Sequence, residues 1–156
     1  MPPFFPFMID LKDKEILIIG GGNVASRRAK TLLECGAKIT AVSINFNDDF
    51  PEVSKKFLRA FNPEDINEKF LFIIAATDKR EINKLIQKIS KLKKIPVNVC
   101  DCKEECAFFF PSFINYENIS VSVCSAGEKP SLTRKLSDKL RRVWASWVNE
   151  EKISNT

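Results

Sequence analysis

Apolar residues recur along this chain with two different spacings, and the alternation between them outlines a fold. Glu15-Ile-Leu-Ile-Ile-Gly20 is an unbroken aliphatic run that ends in three glycines, the mark of a strand covered on both faces. Asn23 stands where a helix cap belongs. Ala25, Ala29, Leu32 and Leu33 then share one helical face, and Gly36 supplies the stop. Lys38–Ser43 reads as the next strand, so strand, glycine turn, helix and strand form a βαβ unit with a right-handed, parallel crossover. The pattern continues with a short helix over Glu52–Phe61 before Pro63 and a strand over Lys69–Ala75. An amphipathic helix over Lys79–Lys93 follows, with Ile82, Leu85, Ile86, Ile89 and Leu92 on its stripe. Pro96–Val99 and Ala107–Phe110 read as further strands, the second ending at Pro111. Strands alternating with helices predict an α/β, Rossmann-like doubly wound parallel sheet.

Beyond Pro111 the spacing changes. Ile119-Ser-Val-Ser-Val-Cys124 alternates with a period of two, and a helix is expected from about Ser131, with Leu132, Leu136, Leu140, Val143 and Trp147 on one face. Polar residues from about Asn149 are expected to fray. The chain therefore divides into a nucleotide-binding domain over residues 1–111 and a small strand-plus-helix segment over residues 112–156. A strand and a helix alone bury little, so the tail is expected to pack on a second copy and to serve dimerisation.

Composition narrows the chemistry. With 156 residues, 44% hydrophobic and 29% charged, the chain has the size and balance of one domain with a small appendage. The longest apolar run, Phe70 to Ala76, is far short of a bilayer span. The apolar, proline-rich start lacks the basic region of a signal peptide. These features, with an odd count of 5 cysteines, favour a cytoplasmic protein with reduced thiols and no membrane partner. Cys100, Cys102 and Cys106 form a tight trio that reads as ordinary thiols, with a structural metal as the lesser alternative. The absence of histidine removes His-based triads and His metal sites and leaves acid–base chemistry to carboxylate, Lys, Tyr or Cys. The net charge of +5 suits anionic small molecules. Arg134, Lys135, Lys139, Arg141 and Arg142 on the last helix form either a solvated face or a grip for carboxylates. A nucleic-acid partner is not favoured, since no binding motif accompanies them.

Gly20-x-Gly22-x-x-Ala25 sits after the first strand and opens a helix, as a dinucleotide fingerprint must. The first glycine allows the turn, the second lets the backbone approach a pyrophosphate, and the small third residue allows close helix–strand packing. The acid expected about twenty positions on, to hold a ribose hydroxyl, is absent: Val42-Ser-Ile-Asn45 stands there. Ser43 and Asn45 offer neutral hydrogen bonds instead, so this position does not choose between NAD and NADP. Asp101 follows the strand ending at Val99, at the carboxyl edge where open α/β sheets hold ligands. It is the best general-base candidate in a chain without histidine, and equally a loop or cap aspartate.

Taken in order, these blocks resemble precorrin-2 dehydrogenase, the NAD-binding module of siroheme synthases. The matching segments are Phe7–Arg28 with its three glycines, Val-Ala and paired Arg residues, Ala75-Ala-Thr-Asp78, Asn98-Val-x-Asp101, Cys106 with Phe108–Pro111, and Ser125–Pro130 leading to Leu132-Thr-Arg134. The resemblance implies oxidation of precorrin-2 to sirohydrochlorin with NAD as hydride acceptor, and a homodimer whose second module exchanges strands. It assigns catalysis to Asp101. Cofactor contacts would fall to Gly20, Gly22, Asn23, Val24, Ser43, Ile44, Asn45, Thr77 and Asp78, and substrate contacts to Asn98, Ser125 and Arg134. Ser125 matches a serine phosphorylated in some relatives. Relatives usually continue with a further helical region that helps close the substrate cleft and that this sequence does not include, which together with the lack of histidine favours a dehydrogenase without iron insertion; two alternatives stand beside it. One is a nucleotide-binding or partner-dependent module without its own turnover. The other is a bifunctional enzyme that also inserts ferrous iron into sirohydrochlorin. No metal site of the protein's own is expected.

Overall fold

The computed structural model describes residues 4–117 and 119–154. The expected strand at the glycine run forms as β1 (Glu15–Ile19), followed by α1 (Asn23–Glu34) and β2 (Lys38–Ser43). β3 (Lys55–Leu58), β4 (Phe72–Ala75), α2 (Arg80–Leu92) and β5 (Val97–Val99) complete a five-stranded parallel sheet in the order β3-β2-β1-β4-β5. β1 is the central strand. It pairs with β2 through Ile16↔Ile39 and Ile19↔Val42, and with β4 through Ile16↔Phe72 and Ile19↔Ala75. Ile16, Leu17 and Ile18 are fully buried, which accounts for the unbroken aliphatic run, because helices cover both faces of such a sheet. Each side chain of this kind stabilises the fold by about 1.5–3 kcal/mol on burial. The strand order reverses on either side of β1, so right-handed crossovers carry α1 and α2 to opposite faces and open a crevice at the carboxyl ends of β1 and β4.

Three expectations in this unit need correction. Residues 52–61 do not form a helix. Val53, Phe57, Leu58 and Phe61 mimic a helical stripe, but Phe57 and Leu58 are exposed, so the spacing marked no buried face. The segment pairs instead with the free edge of β2, where Thr40↔Lys55 and Ser43↔Leu58 are in register and Arg59 N–H donates to Ser43 O at 2.8 Å. Asn62 and Asp65 then close a reciprocal capping box, and Asp65 holds Arg59. Residues 107–110 form no strand; Ala107 N–H donates to Val97 O and the chain leaves the sheet. On α2 the buried positions are Asn83, Ile86 and Ser90, while Leu85 and Leu92 of the expected stripe are exposed.

Phe109 onward forms a second compact unit. Its expected lone strand is half of an antiparallel hairpin, β6 (Ser112–Tyr116) with β7 (Ile119–Val123), paired through Ile114↔Val121. The long helix α3 (Pro130–Ser154) runs beyond Asn149 rather than fraying there. Arg141 donates to Ser112 Oγ at 3.2 Å, and Trp144 Nε1 to Ile119 O at 3.4 Å. α3 buries Ser137 and Val148, whereas Leu132, Leu136 and Trp147 of the expected apolar face stay about half exposed. Among the described residues no helix is long and apolar enough to cross a membrane.

Candidate functional site

The crevice at the carboxyl ends of β1, β2 and β4 is a cavity of about 450 Å³. Its wall contains Gly20, Gly22, Asn23, Val24, Ser43, Ile44, Asn45, Thr77 and Asp78, all nine residues expected to hold a cofactor. The local backbone brings them together. Gly20 lies at φ +126°, and a Cβ there would meet Ala76 O at 2.1 Å, a position open only to glycine. A Cβ on Gly21 would meet Asn45 O at 2.0 Å and Ser43 Oγ at 2.9 Å. Gly20 N–H donates to Val42 O, Ala76 N–H to Ile19 O and Asn47 N–H to Gly21 O. The glycine turn is thereby pressed against the loops after β2 and β4. Gly22 differs, for a Cβ there would meet nothing within 4 Å.

Gly22, not Asn23, is the N-cap of α1, and no side chain caps the helix. Asn23 is its first helical residue, and its Oδ1 accepts a hydrogen bond from Asn47 Nδ2. The uncapped amide groups and the positive end of the helix therefore face the cavity, where an anionic pyrophosphate would satisfy both. The open space over Gly22 leaves room for that group, and Ala25 and Ala29 are fully buried against the sheet. The donor set and the shape fit a dinucleotide. At the end of β2 the wall is built from the neutral residues Ser43, Ile44 and Asn45. Arg59, the nearest arginine in sequence, is engaged with Asp65.

Asp101 lies outside this wall but is tied to it. Its Oδ2 accepts from Asn83 Nδ2 at 3.0 Å, and its Oδ1 lies 3.5 Å from Arg80 Nη1. Arg80 also binds Glu105, whose hydrogen bond raises the already high pKa of the guanidinium. Asp101 keeps about a third of its side-chain surface open to solvent (35%). Asn98 is buried, and its Nδ2 donates to Phe108 O at 2.9 Å and reaches Cys106 Sγ at 3.4 Å; in this unit its amide holds the returning chain. In the second unit Ser125 Oγ accepts from Lys129 N–H at 3.0 Å and from Thr133 Oγ1 at 2.9 Å, while Arg134 projects into solvent beside Asp138.

Burial pushes the Cys100 and Cys106 thiols up, away from reactive thiolate. Among the described residues no group of three or more Cys, Asp or Glu is arranged to hold a metal. Gly21, Asn47, Ala60, Phe61, Asn83 and Arg80 were not singled out from sequence. Gly21 alone carried a signal, as the middle residue of a triple glycine.

The family model described as "Putative NAD(P)-binding" matches residues 7–112. The chain is 35% identical over 145 residues to "Probable multifunctional siroheme biosynthesis protein HemA" of Ruminiclostridium josui, covering 89% of this chain and 28% of that protein. It is 36% identical over 145 residues to "Siroheme synthase 2" of Pectobacterium atrosepticum, covering 90% of this chain and 31% of the relative. The chain thus spans less than a third of the length of these curated relatives. The solved structure of "SirC, precorrin-2 dehydrogenase" superposes with a TM-score of 0.71 at 24% identity, over 94% of this chain and 76% of that one, which shows a shared fold.

Gly21 and Gly22 make opposite predictions. Gly22→Asp places a carboxylate in open space at the helix N-terminus, so NAD affinity measured by calorimetry should fall at least about tenfold with little change in melting temperature. Gly21→Ala forces the Asn45 backbone aside and should destabilise the fold by about 1–3 kcal/mol in urea titration. Equal effects of the two on stability would contradict the assignment of open space to Gly22.

Proposed function

The chain belongs to the NAD(P)-binding family matched over residues 7–112, and on that premise we propose that it oxidises precorrin-2 to sirohydrochlorin with NAD. The observation that carries this reading is the link between Asp101 and the nucleotide cavity: one buried side chain, Asn83, hydrogen-bonds both Asp101 and Thr77 of the cavity wall. The names of the relatives, siroheme synthase and precorrin-2 dehydrogenase, supply the substrate class.

NAD, when bound, supplies the hydride acceptor. The protein's task is then to hold a polycarboxylate macrocycle against the cavity mouth, exclude water and accept one proton. With the hydride taken by the bound cofactor, the Asp101 carboxylate would accept the proton that leaves the same substrate and release it to solvent. Arg80 and Asn83 keep that carboxyl group aimed. The net positive charge of the chain favours the anionic substrate.

Two further parts of the reading rest on other observations. The half-exposed Leu132, Leu136 and Trp147 on α3 favour a homodimer formed by the second unit; sedimentation that finds a monomer at micromolar concentration, unchanged by Leu136→Glu, removes this part. The reaction's use of NAD, together with the free cysteines of the chain, favours the cytoplasm, and a tagged chain found outside it would count against this.

Anaerobic incubation of the chain with precorrin-2 and NAD should yield NADH and sirohydrochlorin in equal amounts. Asp101→Ala should lower that rate at least about a hundredfold, within the usual range for a positioned base, while NAD affinity stays within about twofold of wild type. Loss of NAD binding in this variant would make Asp101 a structural residue and overturn its role as base.

A further inference from the structure

We propose that Asn83 is a positioning residue that sets the cofactor loop and the Asp101 carboxylate in one frame; this rests on the dehydrogenase reading above. Asn83 is fully buried on the inner face of α2, next to the equally buried Ile86. A core position of that kind ordinarily takes an aliphatic side chain, because an amide removed from water is costly unless every polar atom finds a partner. Here every one does. Nδ2 donates to Thr77 O at 3.0 Å and to Asp101 Oδ2 at 3.0 Å. Oδ1 accepts from Thr77 N–H at 3.1 Å and from Thr77 Oγ1 at 2.7 Å. An amide has two donor hydrogens and two acceptor lone pairs, so its capacity is filled and its orientation is determined. Turned over, it would set its oxygen against the Asp101 carboxylate and its NH₂ against the Thr77 N–H.

The four bonds join two loops of different duty. Thr77 follows β4 and lines the nucleotide cavity; Asp101 follows β5. The strands beneath them are in register, and Cys100 N–H donates to Ala75 O at 2.9 Å, but that backbone bond fixes no side chain. Asn83 fixes both the turn of Thr77 and the rotamer of Asp101. Hydride and proton must leave one substrate toward two acceptors, and a misplacement of about 1 Å between such groups costs about a hundredfold in rate. Asn83 acts through Thr77 on one side and Asp101 on the other.

Three variants separate the two arms, each read by NAD affinity in calorimetry and by kcat at saturating NAD and precorrin-2, with circular dichroism to confirm folding. Asn83→Ala removes both arms: NAD Kd should rise about tenfold and kcat should fall about a hundredfold. Thr77→Val removes the hydroxyl alone and should weaken NAD several-fold, with a smaller loss of kcat than in Asn83→Ala. Asn83→Asp keeps an acceptor for Thr77 but sets a second carboxyl against Asp101, so kcat should fall while NAD affinity stays within about threefold. A merely structural asparagine would lower both quantities together in all three. Folded Asn83→Ala with both quantities within twofold of wild type, or any other distribution of the losses, overturns the proposal. If Asn83→Ala does not fold, Thr77→Val and Asn83→Asp decide between the same two outcomes. If the wild type makes no NADH from precorrin-2, the proposed reaction fails, and NAD affinity alone decides the brace: weaker binding in Asn83→Ala and Thr77→Val upholds it, and unchanged binding overturns it.

Discussion

The structure depends on two places where a side chain would not fit. Gly20 and Gly21 let the turn after β1 lie directly on the backbones of Ala76 and Asn45, so that three strand ends meet without intervening side chains. A methyl group at either position would open the junction by an ångström or more, and the cavity wall would lose its closure before any chemistry was affected. The buried aliphatic sheet supplies the rigidity that makes such close approach worthwhile, because a packed core holds loop backbones to fixed separations. Residues at the cavity therefore inherit their positions from the core beneath them, and Gly22 can remain open to a ligand because its neighbours are not.

Electrostatics follow the same division. The first turn of α1 has neither a capping side chain nor an acid, so its amide groups are left for an anion. Asp101, by contrast, is surrounded by donors from Asn83 and Arg80. One edge of the sheet thus presents a positive helix end on one side and an oriented carboxylate on the other, with the loop of Thr77 between them. That arrangement suits a reaction in which a hydride and a proton leave a single substrate by separate routes.

Much of this was legible in the residues. The unbroken Ile-Leu-Ile-Ile run reads as a covered strand and the glycines after it as a turn, so β1, α1, β2 and the glycine turn of the cavity followed from spacing, whereas Val24, Ile44, Thr77 and Asp78 of its wall came from the family resemblance. β3 was not legible, because Val53, Phe57, Leu58 and Phe61 have helical spacing and their true partner, the free edge of β2, is distant information. Asn83 was hidden for a different reason: periodicity reads apolar positions, and a polar residue on the inner face looks like the edge of the stripe. β6 escaped because Ser112–Tyr116 carries no strict alternation; its pairing with β7 becomes evident only once Ile114 and Val121 are seen opposite one another. Composition also made the absence of histidine informative, since it directed attention to Asp101.

The central claim is that the carboxyl edge of the sheet, at the loops pressed against Gly20 and Gly21, is where the dinucleotide binds. Hydrogen exchange of backbone amides, read by mass spectrometry with and without NAD, tests it most directly. The account predicts slowed exchange in residues 20–25, 43–47 and 76–79, with no change at the opposite edge in residues 67–71 and 93–96. Protection at that opposite edge, or none anywhere at saturating NAD, would contradict it.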